Sequence, residues 1–296
     1  MRSEQPASKI MWMVVVSLLP AGVAGVAIFG LSALWVILLS VTSAVMAEAV
    51  FQLLTRNKIT VFDGSAVITG VLLAYILPAH VPFWLPIAGS VFAITIGKQA
   101  FGGLGKNIFN PALAGRALLA FCWPGNTGTF TQPFYGDAVT QATPLALLKE
   151  GYVLKHISYL DLFLGKRGGC IGEVCIAALL AGALFLLIKG YISWHIPVPY
   201  LATVGIFTYI FGPRGLLSGD WLFHILAGGL FLGAFFMATD YVTSPVTRKG
   251  RILFGAGCGL LTAIIRLWGS SPEGVSYAIL IMNGVTPFIN RYVRGD

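Results

Sequence analysis

Ten long apolar runs, separated by segments that hold most of the charged residues, constrain this chain more than any motif in it. They fall near 11–30, 32–54, 65–79, 82–97, 108–123, 170–188, 191–211, 221–238, 252–268 and 275–290. A helix needs about 20 apolar residues to cross a bilayer, and most of the runs approach that length. The third and fourth are short for a crossing and are interrupted by Pro78, Pro82 and Pro86. Only 10% of the residues are charged and mean hydropathy is +0.84, whereas a soluble domain carries about 25% charged residues. A water-soluble core has no place for so much apolar sequence. The expected fold is therefore an all-α polytopic membrane protein with about ten transmembrane helices. The first run leads directly into a second and shows no small-residue cleavage site, so it reads as a span and not as a signal peptide.

The basic residues set the expected orientation. Arg2, Lys9, Arg56, Lys58, Lys98, Lys106, Lys189, Arg248, Lys249, Arg251, Arg291 and Arg294 fall on one side of the alternating spans. Lys149, Lys155, Lys166, Arg167 and Arg214 fall on the other. The positive-inside bias places the first group, and both termini, in the cytoplasm. The net charge of +8 is scattered in this way and forms no stripe, so nucleic acid is not an expected partner. Membrane lipid is. The spans divide five and five about a polar segment at 124–169 on the expected outer face. The expected organisation is a first membrane half at 1–123, that segment, and a second half at 170–296. With an odd number of spans per half, a structural repeat would be inverted.

Glu48, Arg116, Glu173 and Arg266 lie inside predicted spans, and Asp63 and Asp240 lie at cytoplasmic helix ends. Unpaired charges at that depth cost several kcal/mol, about 3 or more. The expectation is ion pairing of Glu48 or Glu173 with Arg116 or Arg266, with an ion path as the functional alternative. Cys122, Cys170, Cys175 and Cys258 have no ligand spacing and read as small packing residues. His80, His195 and His224 lie near interfaces and have no assigned role.

Two polar stretches stand out. The stretch from Gly97 to Arg116 carries five glycines, with Asn107 and Asn110 three residues apart. On a helix start the two amides share a face. They suit a ring edge with mixed donors and acceptors, such as a flavin, or Asn110 simply caps the helix that Pro111 begins. In the second stretch, Thr143 stands at an N-cap, Pro144 at the first helical position, and Gly151 closes the helix. The positive end of that helix would favour an anion at Thr143, though a cap alone also explains the residue.

The segment Asp137-Ala-Val-Thr140-Gln-Ala142-Thr143 resembles the flavinylation motif Asp-Gly-x-Ser/Thr-Gly-Ala-Thr, departing from it at Ala138 and Gln141. The 97–116 stretch, Asp63 to Gly70, Gly172-Glu173, and Met237 to Pro245 accompany it in order. Together they resemble the family of the D subunits of Rnf ion-translocating oxidoreductases, which is similar to the B subunits of sodium-pumping NADH:quinone reductases. The resemblance runs from about Lys9 to Tyr292. It implies an FMN joined through a phosphoester to Thr143 by a flavin transferase, with Asp137, Thr140 and Ala142 as the attachment motif. It implies a second, noncovalent riboflavin, for which Asn107 and Asn110 are the candidate residues. It also implies an electron-relay subunit of a bacterial or archaeal cytoplasmic (inner) membrane complex, with A, B, C, E and G type subunits as partners. Sodium or proton translocation is the expected output. A B-type quinone reductase subunit and a secondary transporter with inverted repeats are the alternatives.

Overall fold

The structure is a computed structural model that describes residues 7–133, 142–151, 158–212 and 215–293. It is mostly helical. Helices α1 (Ala7–Phe29), α2 (Leu31–Leu54), α3 (Ser65–Tyr75), α4 (Trp84–Thr95) and α5 (Pro111–Cys122) occupy the first five apolar runs. Short helices α6 (Pro124–Gly128), α7 (Pro144–Lys149) and α8 (Tyr159–Leu164) follow. Then come α9 (Ile176–Ile188), α10 (Pro197–Ile210), α11 (Trp221–Leu226), α12 (Leu230–Leu232), α13 (Arg248–Trp268) and α14 (Val275–Tyr292). A π-helical turn at Gly233–Met237 continues α12. A two-residue antiparallel pair, Phe211–Gly212 with Gly215–Leu216, is a small departure from the all-helical expectation.

Among the described residues three helices, α1, α2 and α13, are long and apolar enough to cross a membrane alone. α3, α5, α9 and α10 are apolar but shorter. At about 1.5 Å per residue, a 12-residue helix covers about 18 Å, short of the ~30 Å hydrocarbon layer. Sequence punctuation explains the shortening. α3 ends before Pro78, and α4 begins after Pro82 and takes Pro86 into its first turn. Pro111 starts α5 behind an Asn110 cap.

The sixth apolar run begins at residue 170 in the sequence, but its helix starts at Ile176. Residues 170–175 form a turn that docks on the end of α3. The Ile171 N–H donates to the Leu77 carbonyl at 3.1 Å, and the Gly172 N–H donates to the Tyr75 carbonyl at 3.0 Å. Two interrupted segments thus satisfy each other's backbone groups, as any chain buried away from water must. A Cβ at Gly172 would lie 2.2 Å from the Tyr75 ring, so only glycine fits there.

The largest apolar core draws on both halves of the chain, with Leu18, Leu73 and Leu113 joined to Leu179, Leu232 and Ile279. α1 packs on α9 and α5 packs on α14. The outer surface is apolar as well. Leu31, Trp35, Leu38, Met46, Val50 and Leu53 line the exposed side of α2. An apolar face of that length suits lipid, and water would disfavour it.

Candidate functional site

Thr143 is 4% exposed and caps α7 as its sequence predicts. Its Oγ1 accepts a hydrogen bond from the Ala146 N–H at 3.2 Å. Its hydroxyl oxygen therefore serves the helix as an acceptor. α7 is only six residues long, so its macrodipole is a weaker source of positive potential than its sequence suggests. The helix is held by a small apolar cluster of Leu145, Leu162, Phe223 and Ala227. Ala142 and Thr143 line the same cavity. Asp137 and Thr140, the other residues of the attachment motif, lie outside the described residues.

That cavity has a volume of about 460 Å³. Sites for small molecules and cofactors typically span about 300–1,000 Å³. Its walls are α5 (Arg116, Ala117, Ala120), the α6 region (Thr127, Phe130), α7 and the α13–α14 loop. Two of its polar groups lack hydrogen-bond partners among the described residues. The Nη2 of Arg116 donates to the Thr127 carbonyl at 3.1 Å, but its Nη1 is sealed from solvent without an acceptor. The Oε1 of Glu273 is likewise sealed and unpaired. Burial, with the neighbouring Glu173 carboxyl adding to it, pushes the Glu273 carboxyl up toward its neutral form. Orphaned buried groups are rare in folded proteins and point to an absent partner. An attachable hydroxyl, a guanidinium short of an acceptor and sufficient volume fit a phosphate-linked flavin.

The ion pairs differ from those expected. Glu48, 1% exposed, pairs with Lys98, 2% exposed, whose Nζ reaches both carboxylate oxygens at 2.8 and 2.9 Å. The Gln99 and Gln52 amides donate to the same carboxylate at 2.8 and 3.1 Å. Lys98, which the sequence places among the loop cations, is therefore a buried partner. Arg266 and Arg167 turn to backbone carbonyls. Arg266 donates to the His224 and Ala227 carbonyls and to that of Glu273. Arg167 donates to the carbonyls of Glu173 at 3.2 Å and Gly228 at 3.4 Å. For the His224, Ala227 and Gly228 carbonyls the physical reason is the break between α11 and α12. It leaves helix-end carbonyls with no intrahelical donor, and long guanidinium groups supply the missing hydrogen bonds.

Asn107 and Asn110 line a second cavity at the other end of α5, with Ser65, Lys98 and Asp240. Its volume is about 80 Å³, well below the ~300 Å³ lower end for small-molecule sites. The amides are also engaged. Asn110 Oδ1 caps the Ala112 and Leu113 N–H groups at 3.1 and 3.3 Å, and its Nδ2 reaches the Met237 carbonyl at 3.4 Å. Asn107 Nδ2 donates to the Phe109 carbonyl at 3.1 Å. A riboflavin does not fit this site as it stands. The capping role of Asn110, one of the two roles its sequence allows, is the one the geometry displays. Among the described residues, no cluster of His, Cys, Asp or Glu could hold a metal ion.

Arg116 is visible in the sequence as a charge inside an apolar run. Glu273 escapes sequence reasoning, because an acid in a loop carries no signal of burial. Tertiary folding alone brings the α13–α14 loop over α5 and α7.

Interrupted helices and an apolar outer surface define a helical membrane protein, with a cavity beside the Thr143 hydroxyl. Likeness to known proteins makes that class specific: the chain matches the NQR2, RnfD, RnfE family over residues 1–296 and belongs to it. One relative is the D subunit of the Na(+)-translocating ferredoxin:NAD(+) oxidoreductase complex of Acetobacterium woodii. It is 51% identical over 295 residues, covering 99% of this chain and 91% of the relative. The D subunit of the proton-translocating ferredoxin:NAD(+) oxidoreductase complex of Clostridium ljungdahlii is 47% identical over 304 residues, covering 99% and 92%. The D subunit of the ion-translocating oxidoreductase complex of Stutzerimonas stutzeri is 39% identical over 321 residues, covering 97% and 90%.

Proposed function

We propose that this chain is a membrane subunit of a redox-driven, ion-translocating ferredoxin:NAD oxidoreductase complex, and that it relays electrons through an FMN esterified to Thr143. The observation that carries the reading is the Thr143 hydroxyl, which serves its own helix only as an acceptor and opens on the flavin-sized cavity. Esterification at Oγ1 removes the hydroxyl proton and leaves an oxygen lone pair for the Ala146 N–H, so the cap and the link are compatible. When bound, a flavin supplies one- and two-electron chemistry. The protein's part is to hold it without a binding equilibrium and to line it with Ala117, Ala120, Phe130 and Tyr277. Asp137, Thr140 and Ala142 are the proposed recognition residues for the flavin transferase. The proposed partners are the other subunits of an Rnf-type complex, of A, B, C, E and G type.

The ion is sodium or proton. Two relatives of nearly equal identity carry different ions in their names, so overall likeness does not select one. A noncovalent riboflavin at Asn107 and Asn110 requires the second cavity to widen several-fold, and no step is routed through it. The proposed setting is the cytoplasmic membrane, with both termini inside and the Thr143 cavity outside. A five-helix repeat is supported by parallel packing, since α4 lies against α2 and α5, as α13 lies against α10 and α14; an odd number of spans per half would make it inverted.

The test is the intact mass of the chain from its native host, with ultraviolet fluorescence after denaturing electrophoresis. The expected result is one FMN less one water on the peptide that holds Thr143, lost in Thr143→Val together with electron transfer through the complex. An unmodified chain in a host with an active transferase returns Thr143 to a helix cap and removes the relay role.

A further inference from the structure

Arg116 is the one Lys or Arg among the residues that line the Thr143 cavity. The nearby Lys149 is turned away, its Nζ donating to the Ser271 carbonyl at 2.9 Å and to that of Ile265 at 3.4 Å. The Arg116 guanidinium is fixed from one side. Its Nη2 is held by the Thr127 carbonyl, and Thr127 is in turn tied by its hydroxyl to the Trp123 carbonyl at 3.1 Å. Among the described residues its Nη1 has no acceptor. A planar, always-charged donor held on one edge and empty on the other is suited to an oxygen anion.

The acidic groups around it sharpen the match. Glu150 lines the cavity as an exposed residue, where water screens its charge. Glu273 stands within the cavity wall, with Glu173 behind it and Arg116 and Arg266 also acting on it. No salt bridge to Arg116 forms from either carboxyl among the described residues. Arg116 is thus a cationic cavity residue with no ion pair among the described residues.

We propose that Arg116 is the anion receptor of this cavity. Its guanidinium takes a non-bridging oxygen of the phosphodiester that joins a flavin to Thr143. Arg116 is a positioning residue, and this role rests on attachment at Thr143.

The experiment compares the purified complex made with and without an active flavin transferase, for the native chain, Arg116→Gln and Arg116→Lys. Intact mass reports attachment, thermal unfolding reports stability, and fluorescence anisotropy reports the freedom of the attached flavin. The expected result is that attachment raises Tm in the native chain. Arg116→Gln loses at least half of that rise and lowers the anisotropy of the flavin it carries. Arg116→Lys falls between the two. Each comparison is made within one variant, so a general loss of stability cancels. If Arg116→Gln does not accumulate, Arg116→Lys decides by the same measure. An equal Tm rise and equal anisotropy in the native chain and the variants overturn the role of Arg116 while attachment stands. A native chain with no flavin on Thr143, in the presence of active transferase, overturns the attachment on which it rests.

Discussion

Glu273 lies between the Thr143 cavity and Glu173, and burial raises its proton affinity in the fold. In the unfolded chain the same carboxyl has its ordinary value, about 4.3. Between that value and the raised one, the folded chain keeps a proton that the unfolded chain has released. Stability therefore falls as pH rises through this window, and the penalty vanishes below it, where the group is neutral in both states. Glu273→Gln is expected to raise Tm at alkaline pH and to leave it unchanged near about pH 4. Equal shifts at both ends would show that the carboxyl is not held neutral. The opposite case is Glu48, whose charge is matched by Lys98 and two amides. Lys98→Met strands that carboxylate in a dry interior and is expected to cost about 3–5 kcal/mol. Glu48→Gln combined with Lys98→Met should recover part of the loss, as measured by thermal unfolding in detergent.

Among the elements, the interrupted helices are the informative ones. α3 stops at Tyr75, α9 begins only at Ile176, and α11 breaks before α12. At each break the freed backbone groups find protein donors or acceptors: the 170–175 turn at the end of α3, and the guanidinium groups of Arg266 and Arg167 around the α11 break. Tyr75 adds a further tie, its hydroxyl donating to the Leu18 carbonyl at 2.8 Å. Close approach of whole helices depends on single positions. A Cβ at Gly182 on α9 would lie 1.9 Å from the Ser17 carbonyl oxygen of α1. That neighbour is backbone and cannot rotate away. Gly182→Ala is expected to cost about 1–3 kcal/mol through displacement of α9 from α1, read as a lower Tm with the Thr143 flavin content unchanged. A variant of native stability would mean that the two helices can slide apart without loss.

On the scale of the whole molecule, α5 connects two polar regions. Asn110 caps its start beside the small cavity, and Ala117 and Ala120 line the larger one near its end. The proposed orientation puts these regions on opposite sides of the membrane. With the exposed Cys122 first changed to serine, Ser271→Cys at the cavity wall is expected to react with an impermeant maleimide in intact cells. Lys106→Cys is expected to react only after the membrane is opened. The reverse pattern would invert the topology. Much of this architecture was legible from residue order. Apolar runs place helices because only a hydrogen-bonded helix lets such residues sit in hydrocarbon, and each of the ten runs holds at least one. The Thr143–Pro144 cap and the Asn110–Pro111 cap were legible too, because capping is set by near neighbours in the chain. Other features depended on distances between remote residues. Lys98 looked like a loop cation until folding set it against Glu48, 50 residues away. Arg116 and Thr143 belong to one cavity only because α7 and the α13–α14 loop close over α5. Sequence by itself determined the helices, their caps and the family, since these depend on local pattern. Tertiary structure alone decided which buried charges were paired and which were left facing the cavity, since pairing depends on packing across the whole chain.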